Sequence, residues 1–340
     1  MSVPRPSRLD AALHDYYSDA KAGPSQRWMD YAFGAGERGQ ALIDTLTNVM
    51  PDLRGRRHLD IGCGYGGVCV AAAGAGAITT GIDVNERLLE LAALNQLDHP
   101  DLTLQFHRLD ALDWEGVSAL GTFDAITADN VIEHVALPEQ LVSHVARLLT
   151  ADGVAYLTIP NAFSIGQIHA DCHYGLFGAS LLDTWDAGVY LRHAHDFPTY
   201  AVSAYFPFEV YAGFFAHEGL VSELLIDREL SAGDEELLAR QLTELPLRLE
   251  ETIESGVVPG QLHEKLRWIL GEYVRRGQAA LAAVTEAPLD LQPQLRQRIR
   301  RDYLEEAWYV MASPNPESLR YKSGSLASRA LRRLRSSPSR

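Results

Sequence analysis

Residues 57–67, Arg-His-Leu-Asp-Ile-Gly-Cys-Gly-Tyr-Gly-Gly, set a carboxylate at Asp60 two positions ahead of a glycine-dense turn. Gly62, Gly64, Gly66 and Gly67 let the backbone turn sharply and approach a ligand with no Cβ in the way. The helix-compatible run from Val68 to Ala73 would then offer unpaired N–H groups to a negatively charged group. Asp60 narrows the choice of ligand. A carboxylate pointing into that pocket repels a pyrophosphate and holds an ammonium. The amino-acid end of S-adenosylmethionine (SAM), with its carboxylate and its ammonium, suits both halves. The spacing Gly62-x-Gly64-x-x-Gly67 also satisfies the dinucleotide pattern, so NAD stays open at this point. Asp83, twenty-three residues after Asp60, closes a second apolar strand and could accept ribose hydroxyls from either cofactor.

The elements that must position these groups alternate. After the strands ending at Asp60 and Asp83, Leu102–Asp110 reads as a third strand ending in an acid. Phe123–Val135 reads as a fourth strand, a polar loop and a helix start, which puts His134 one turn into that helix. Val154–Asn161 reads as a fifth strand preceded by an Asp152-Gly153 turn. Arg87–Gln96 and Pro138–Leu149 are helical. Such alternation predicts a parallel sheet covered by helices on both faces, with the ligand beyond the carboxyl ends of the strands. Asp60, Asp83, Asp110 and Asp129-Asn130 all fall at those ends. Four polar strand ends converge on one crevice.

On these residues the chain resembles the class I SAM-dependent methyltransferases, over roughly residues 40–225 and a short piece near 306–313. Asp60-Ile-Gly-Cys-Gly-Tyr-Gly is similar to the family's D-x-G-x-G-x-G loop. Ile82-Asp83-Val84-Asn85 is similar to its ribose segment, and Leu109-Asp110-Ala111-Leu112 to its adenine segment. Phe123-Asp-Ala-Ile through Glu133-His134-Val135 resembles the stretch lining the reaction centre. The resemblance implies a Rossmann-like, doubly wound seven-stranded α/β sheet with helical additions. It implies SAM held by Asp60, Gly62, Gly64 and Gly66 at the methionine end, by Asp83 and Val84 at the ribose, by Asp110 and Ala111 at the adenine, and by Asp129. The core is most similar to ubiquinone-biosynthesis O-methyltransferases. Those enzymes carry Glu-x-x-Glu-His, associated with a divalent cation, where this chain has Asn130-Val-Ile-Glu133-His134; the Asn weakens a hard-cation site there without removing it, so a metal stays open but is not predicted. His169-x-Asp171-x-His173 would gather three ligands only if extended.

Around the core the domains are expected as follows. Residues 1–50 form a helical cap whose Tyr31 or Arg38 reaches the cofactor carboxylate or merely packs. The core spans 51–230 and 303–314, with 161–205 as an acceptor-side insert. A helical insertion at 231–302 follows from apolar residues at helical spacing (Leu262, Leu266, Leu270, Tyr273 and Leu281). Ala307–Ser313 reads as a final, antiparallel strand. The tail 315–340 is basic, with seven Lys/Arg and no acid from Ser318 onward. It reads as a disordered, solubilising element, with peripheral contact to an anionic membrane as the alternative.

Composition sets bounds. A net charge of −15 argues against a general nucleic-acid partner. Three cysteines without framework spacing and a start lacking an apolar core point to the cytoplasm. No stretch is long and apolar enough to predict a transmembrane segment. Within these bounds the resemblance implies methylation of a hydroxyl on a small molecule or a sugar or glycan. Transfer from a sulfonium is an in-line displacement helped by removal of the acceptor proton, with His134 the first candidate base and His173 the second. N- or C-methylation, an NAD-dependent oxidoreductase and a non-catalytic SAM-binding module are the alternatives.

Overall fold

The computed structural model describes residues 7–18, 25–226 and 229–320. Most of the basic tail lies outside them. Seven strands, β1 (Arg57–Ile61), β2 (Ile78–Asp83), β3 (Leu104–Arg108), β4 (Phe123–Asp129), β5 (Leu149–Pro160), β6 (Val221–Leu224) and β7 (Ala307–Ser313), form one sheet in the order β3-β2-β1-β4-β5-β7-β6. The chain pairs β1 in parallel with both β2 and β4, while β6 runs antiparallel to β7. The expected doubly wound α/β sheet is therefore present. Strand order reverses between β1 and β4, so the chain leaves their carboxyl ends in opposite directions and a crevice opens there.

Internal contacts group the chain into two compact units: the described parts of 1–159, 211–227 and 309–340, and those of 160–210 and 228–308. The first unit carries α1 (Arg8–Ser18), α2 (Ser25–Phe33), α3 (Ala35–Leu46), α4 (Gly67–Gly74), α5 (Glu86–Asp98), α6 (Trp114–Ala119) and α7 (Pro138–Leu148). α3 crosses the start of α4 at backbone distance. A Cβ on Gly39 would lie 2.5 Å from the Gly67 carbonyl, and one on Gly67 2.3 Å from the Ala35 carbonyl oxygen. Only glycine permits that approach, and it brings the α2–α3 junction to the rim of the crevice.

Two local expectations are corrected. The segment after β4 does not begin a helix at Glu133-His134. Residues 130–137 form turns, with Asn130 left-handed at φ 55° and His134 N–H bonded to the Val131 carbonyl, and helix starts only at Pro138. Pro at the first helical position has the right φ and lacks the N–H that would go unused there. β5 also begins earlier than its sequence suggests. The chain leaves α7 at Leu149 already extended, and Asp152-Gly153 is absorbed by a register shift against β4 rather than making a free turn.

The second unit is mainly helical: α8 (Ile165–His169), α9 (Thr184–His195), α11 (Ala232–Glu254), α12 (His263–Glu286) and α13 (Gln292–Ile299), while α10 (Phe208–His217) spans the division. Leu238, Leu242, Leu245 and Leu249 on α11 and Leu266, Leu270, Tyr273 and Val274 on α12 are buried, at the spacing of one helical face each. Ser231 and Asp234 cap α11 reciprocally. One π-helical turn, Arg300–Leu304, is gripped by Asn161. Its fully buried amide donates to the carbonyls of Arg301, Asp302 and Glu305 at 3.1, 3.2 and 2.8 Å, and its oxygen accepts the Phe163 N–H at 3.0 Å.

Candidate active site

A cavity of about 500 Å³ opens at the carboxyl ends of β1, β2 and β4, wholly within the first unit. Asp60, Gly62, Gly64, Asp83, Val84, Asp110, Ala111, Asp129 and His134 line it. These residues are scattered from 60 to 134 in the chain and meet because each ends or follows a strand. Gly66 faces elsewhere. It is the left-handed cap of α4 at φ 76°, and a Cβ there would strike the Phe106 ring at 2.8 Å. Its part is to turn the chain.

The glycine loop is held from below. Asp83 accepts the Gly64 N–H on Oδ2 at 2.9 Å and the Asn85 N–H on Oδ1 at 2.8 Å, so one carboxylate anchors the loop and shapes the start of α5. Gly62 is left-handed at φ 67°, and a Cβ on it would meet Val131 at 2.5 Å. Asp110 accepts the Leu112 N–H at 2.9 Å, and the buried His144 ring contacts the Ala111 carbonyl at 2.8 Å. Together they set the far end of the cavity.

At the near end Asp60 is almost wholly buried, 2 % exposed. Burial pushes its carboxyl up to about 7. Hydrogen bonds from Thr127 and Cys69 oppose that shift, and the charges of Asp129 and Asp83 reinforce it. An ammonium arriving there would regain the charge interaction that burial removed. Across the mouth, the Tyr31 hydroxyl lies 3.4 Å from Asp129 and 3.3 Å from the Asn130 amide, and the Arg38 guanidinium stacks on the Tyr31 ring at 3.4 Å. Tyr31 and Arg38 thus line the cavity while bound to each other and to its rim.

His134 projects into the same cavity with its side chain about one-third exposed, and its Nε2 sits 3.6 Å from the carboxylate of fully buried Glu133. Burial pushes Glu133 up to about 7, with His134 lowering it and Asp129 raising it. A buried carboxyl behind an accessible imidazole is the arrangement of a base and its orienting group. His173 belongs to the second unit. There its Nδ1 lies 3.1 Å from the Tyr205 hydroxyl and 3.2 Å from Cys172 Sγ. The three-ligand pattern His169-x-Asp171-x-His173 is not extended. The Asp171 carboxylate turns into its own loop and accepts the N–H groups of His173, Tyr174 and Leu176 at 3.0, 2.9 and 2.7 Å.

Sequence reasoning missed Leu88 and Ala136, which give the cavity apolar wall, and the buried pair formed by His58 with Thr127 beneath Asp60. Apolar lining residues carry no chemical signature. A histidine in the middle of an apolar strand was the one available sign of the pair.

A sequence profile described as a methyltransferase domain matches residues 59–155. The chain is 31 % identical over 167 residues to a ubiquinone biosynthesis O-methyltransferase of Xanthomonas oryzae pv. oryzae (strain PXO99A), covering 47 % of this chain and 68 % of that one. It is 29 % identical over 180 residues to the protein of the same name from Xanthomonas campestris pv. campestris (strain B100), covering 49 % and 72 %. Among solved structures it is similar to a magnesium protoporphyrin IX methyltransferase from Synechocystis PCC 6803 with bound SAH, at 17 % identity and a TM-score of 0.41 over 65 % of this chain and 94 % of that one. The chain belongs to the class I SAM-dependent methyltransferases. It is a SAM-dependent methyltransferase enzyme, and the dinucleotide reading of its glycine loop falls away.

Proposed function

We propose that the enzyme transfers the methyl group of SAM to a hydroxyl of a small-molecule or sugar acceptor, with His134 taking the hydroxyl proton. The observation that carries this reading is His134 in the cavity wall with Glu133 buried behind it. The similarity to enzymes named ubiquinone biosynthesis O-methyltransferases supports oxygen as the acceptor atom. Asp60 would hold the SAM ammonium, Asp83 the ribose hydroxyls and Asp110 the adenine amine, which leaves the sulfonium methyl toward the 129–136 loop. Holding donor and acceptor in line supplies much of the acceleration, and proton removal supplies a further factor of roughly 10²–10⁴.

The test is incubation with methyl-labelled SAM and a panel of phenolic, polyol and sugar acceptors, followed by mass spectrometry of the product. Label on oxygen, with kcat reduced about a hundredfold or more by His134→Ala while SAM affinity stays within about threefold, bears the proposal out. Label on nitrogen or carbon overturns the acceptor assignment. Unchanged kcat in His134→Ala, with loss in His173→Ala, moves the base to the second unit.

A further inference from the structure

The strand beneath the cofactor cavity carries a polar line that methyl transfer itself does not call for. In the parallel register Asp60 stands opposite Thr127, and His58 lies two residues before Asp60, on the same face of β1. His58 and Thr127 have no exposure to solvent and Asp60 almost none. The His58 Nε2 is 2.9 Å from Thr127 Oγ1, and Thr127 Oγ1 is 2.7 Å from Asp60 Oδ1. On the other side Cys69 Sγ–H reaches Asp60 Oδ2 at 3.4 Å.

Proton accounting gives this line a direction. Thr127 has one hydroxyl proton, and an ionised Asp60 can only accept, so Thr127 donates to Asp60 and must itself accept from His58. That puts the imidazole proton on Nε2. The Nδ1 atom, buried with no hydrogen-bond partner among the described residues, agrees, because an orphaned lone pair costs less there than an orphaned N–H. Burial holds the His58 ring neutral, pushed down to about 3, so it acts as a fixed dipole and not as a charge.

We propose that His58 and Thr127 are positioning residues for the cofactor: the relay from His58 through Thr127 orients the Asp60 carboxylate and favours its charged form, and so sets the pH at which SAM binds. The proposal rests on Asp60 receiving the SAM ammonium. The groups facing Asp60 are Thr127 from β4, Cys69 from α4, Cys63 from the glycine loop, and the carboxylates Asp83 and Asp129 at neighbouring strand ends. The two carboxylates oppose ionisation of Asp60, while Thr127 and Cys69 favour it.

Calorimetric titration of the full chain with SAM between pH 5.5 and 8.5 tests it. In the wild type, affinity falls as pH drops through the Asp60 titration. Thr127→Val removes the donor at constant shape. It should move that midpoint up by about one pH unit and weaken SAM about fivefold at pH 7, with Thr127→Ser restoring both. His58→Leu should shift the midpoint by a smaller amount, and His58→Gln, which can still donate at the Nε2 position, should restore it. Should Thr127→Val not fold, the two His58 variants decide. Weaker binding with an unmoved midpoint assigns the pair a packing role and overturns the proposal, as do variant profiles that coincide with the wild type. Asp60→Asn separates the two levels. If it binds SAM like the wild type at every pH, the placement of the ammonium fails; if it loses binding while Thr127→Val does not shift, only the relay fails.

Discussion

The two units of this enzyme place their polar groups by different means. In the first, the residues lining the cavity are carried by a parallel sheet, whose strand ends bring Asp60, Asp83, Asp110 and Asp129 to one crevice, and side-chain partners such as Thr127 act on groups the sheet has already placed. In the second, irregular backbone is held by single buried side chains. Asn161 clamps a π-turn lying some 140 residues further along the chain, and Asp171 closes its own loop with three N–H groups. A sheet supplies geometry through backbone hydrogen bonds that any residue can make. A loop of this kind depends on one residue type at one position. Substitution should therefore affect the first unit mainly through ligand affinity and the second mainly through stability.

Asp83→Ala should show the largest effect, because this carboxylate both anchors Gly64 and faces the proposed ribose site. Two hydrogen bonds to a charged group are lost along with the ribose contacts. Calorimetry should show SAM weakened about a thousandfold, or about 4 kcal/mol, with a much smaller change in melting temperature. Asn161→Ala should reverse that pattern. The orphaned carbonyls of Arg301, Asp302 and Glu305 predict about 3 kcal/mol of lost stability in denaturant titration, with SAM affinity within about threefold of the wild type. Equal effects of both variants on both readouts would erase the distinction between the units.

A smaller effect concerns pH. Asp60 and Glu133 both have folded-state pKa values raised to about 7 by burial, above their values in the unfolded chain. A raised carboxyl binds more protons folded than unfolded, so its stabilising contribution is complete below about pH 4 and is lost as pH rises through 7. Asp60→Asn should therefore lose less stability than the wild type as pH rises from about 4 to about 8, read from paired denaturation curves without SAM. The smallest effect is expected at Tyr17→Phe. Its hydroxyl meets that of Tyr65 in the glycine loop at 2.6 Å, and losing that bond should cost about 1 kcal/mol in α1 docking, visible as faster amide exchange in residues 8–18.

Much of the first unit was legible in the chain because its signals are local. A glycine-dense turn after an apolar strand, and an acid at each strand end, can be read within a few residues. Loop 130–137 was misread as the start of a helix because strand–helix alternation places a helix directly after the fourth strand, although Asn130-Val-Ile-Glu-His-Val is rich in poor helix formers. The left-handed Asn130 and the favourable first-turn proline at 138 decide otherwise. The early start of β5 was hidden for a related reason, since Asp-Gly signals a turn unless a bulge absorbs it. The His58–Thr127 relay depends on strand pairing across nearly seventy residues, and the Asn161 clamp on a π-turn still further away. The first leaves only a histidine inside an apolar strand as its sign, and the second leaves no local pattern at all.

In the proposed mode this cavity seats SAM with its ammonium at Asp60, its ribose at Asp83 and its adenine at Asp110. A crystal structure of the enzyme with S-adenosylhomocysteine decides between this mode and its alternatives. The product's ammonium should be hydrogen-bonded to the Asp60 carboxylate, at about 3 Å directly or through one ordered water, with both ribose hydroxyls on Asp83. Ligand bound in the opposite sense, or a cavity left empty while ligand binds elsewhere, would contradict it.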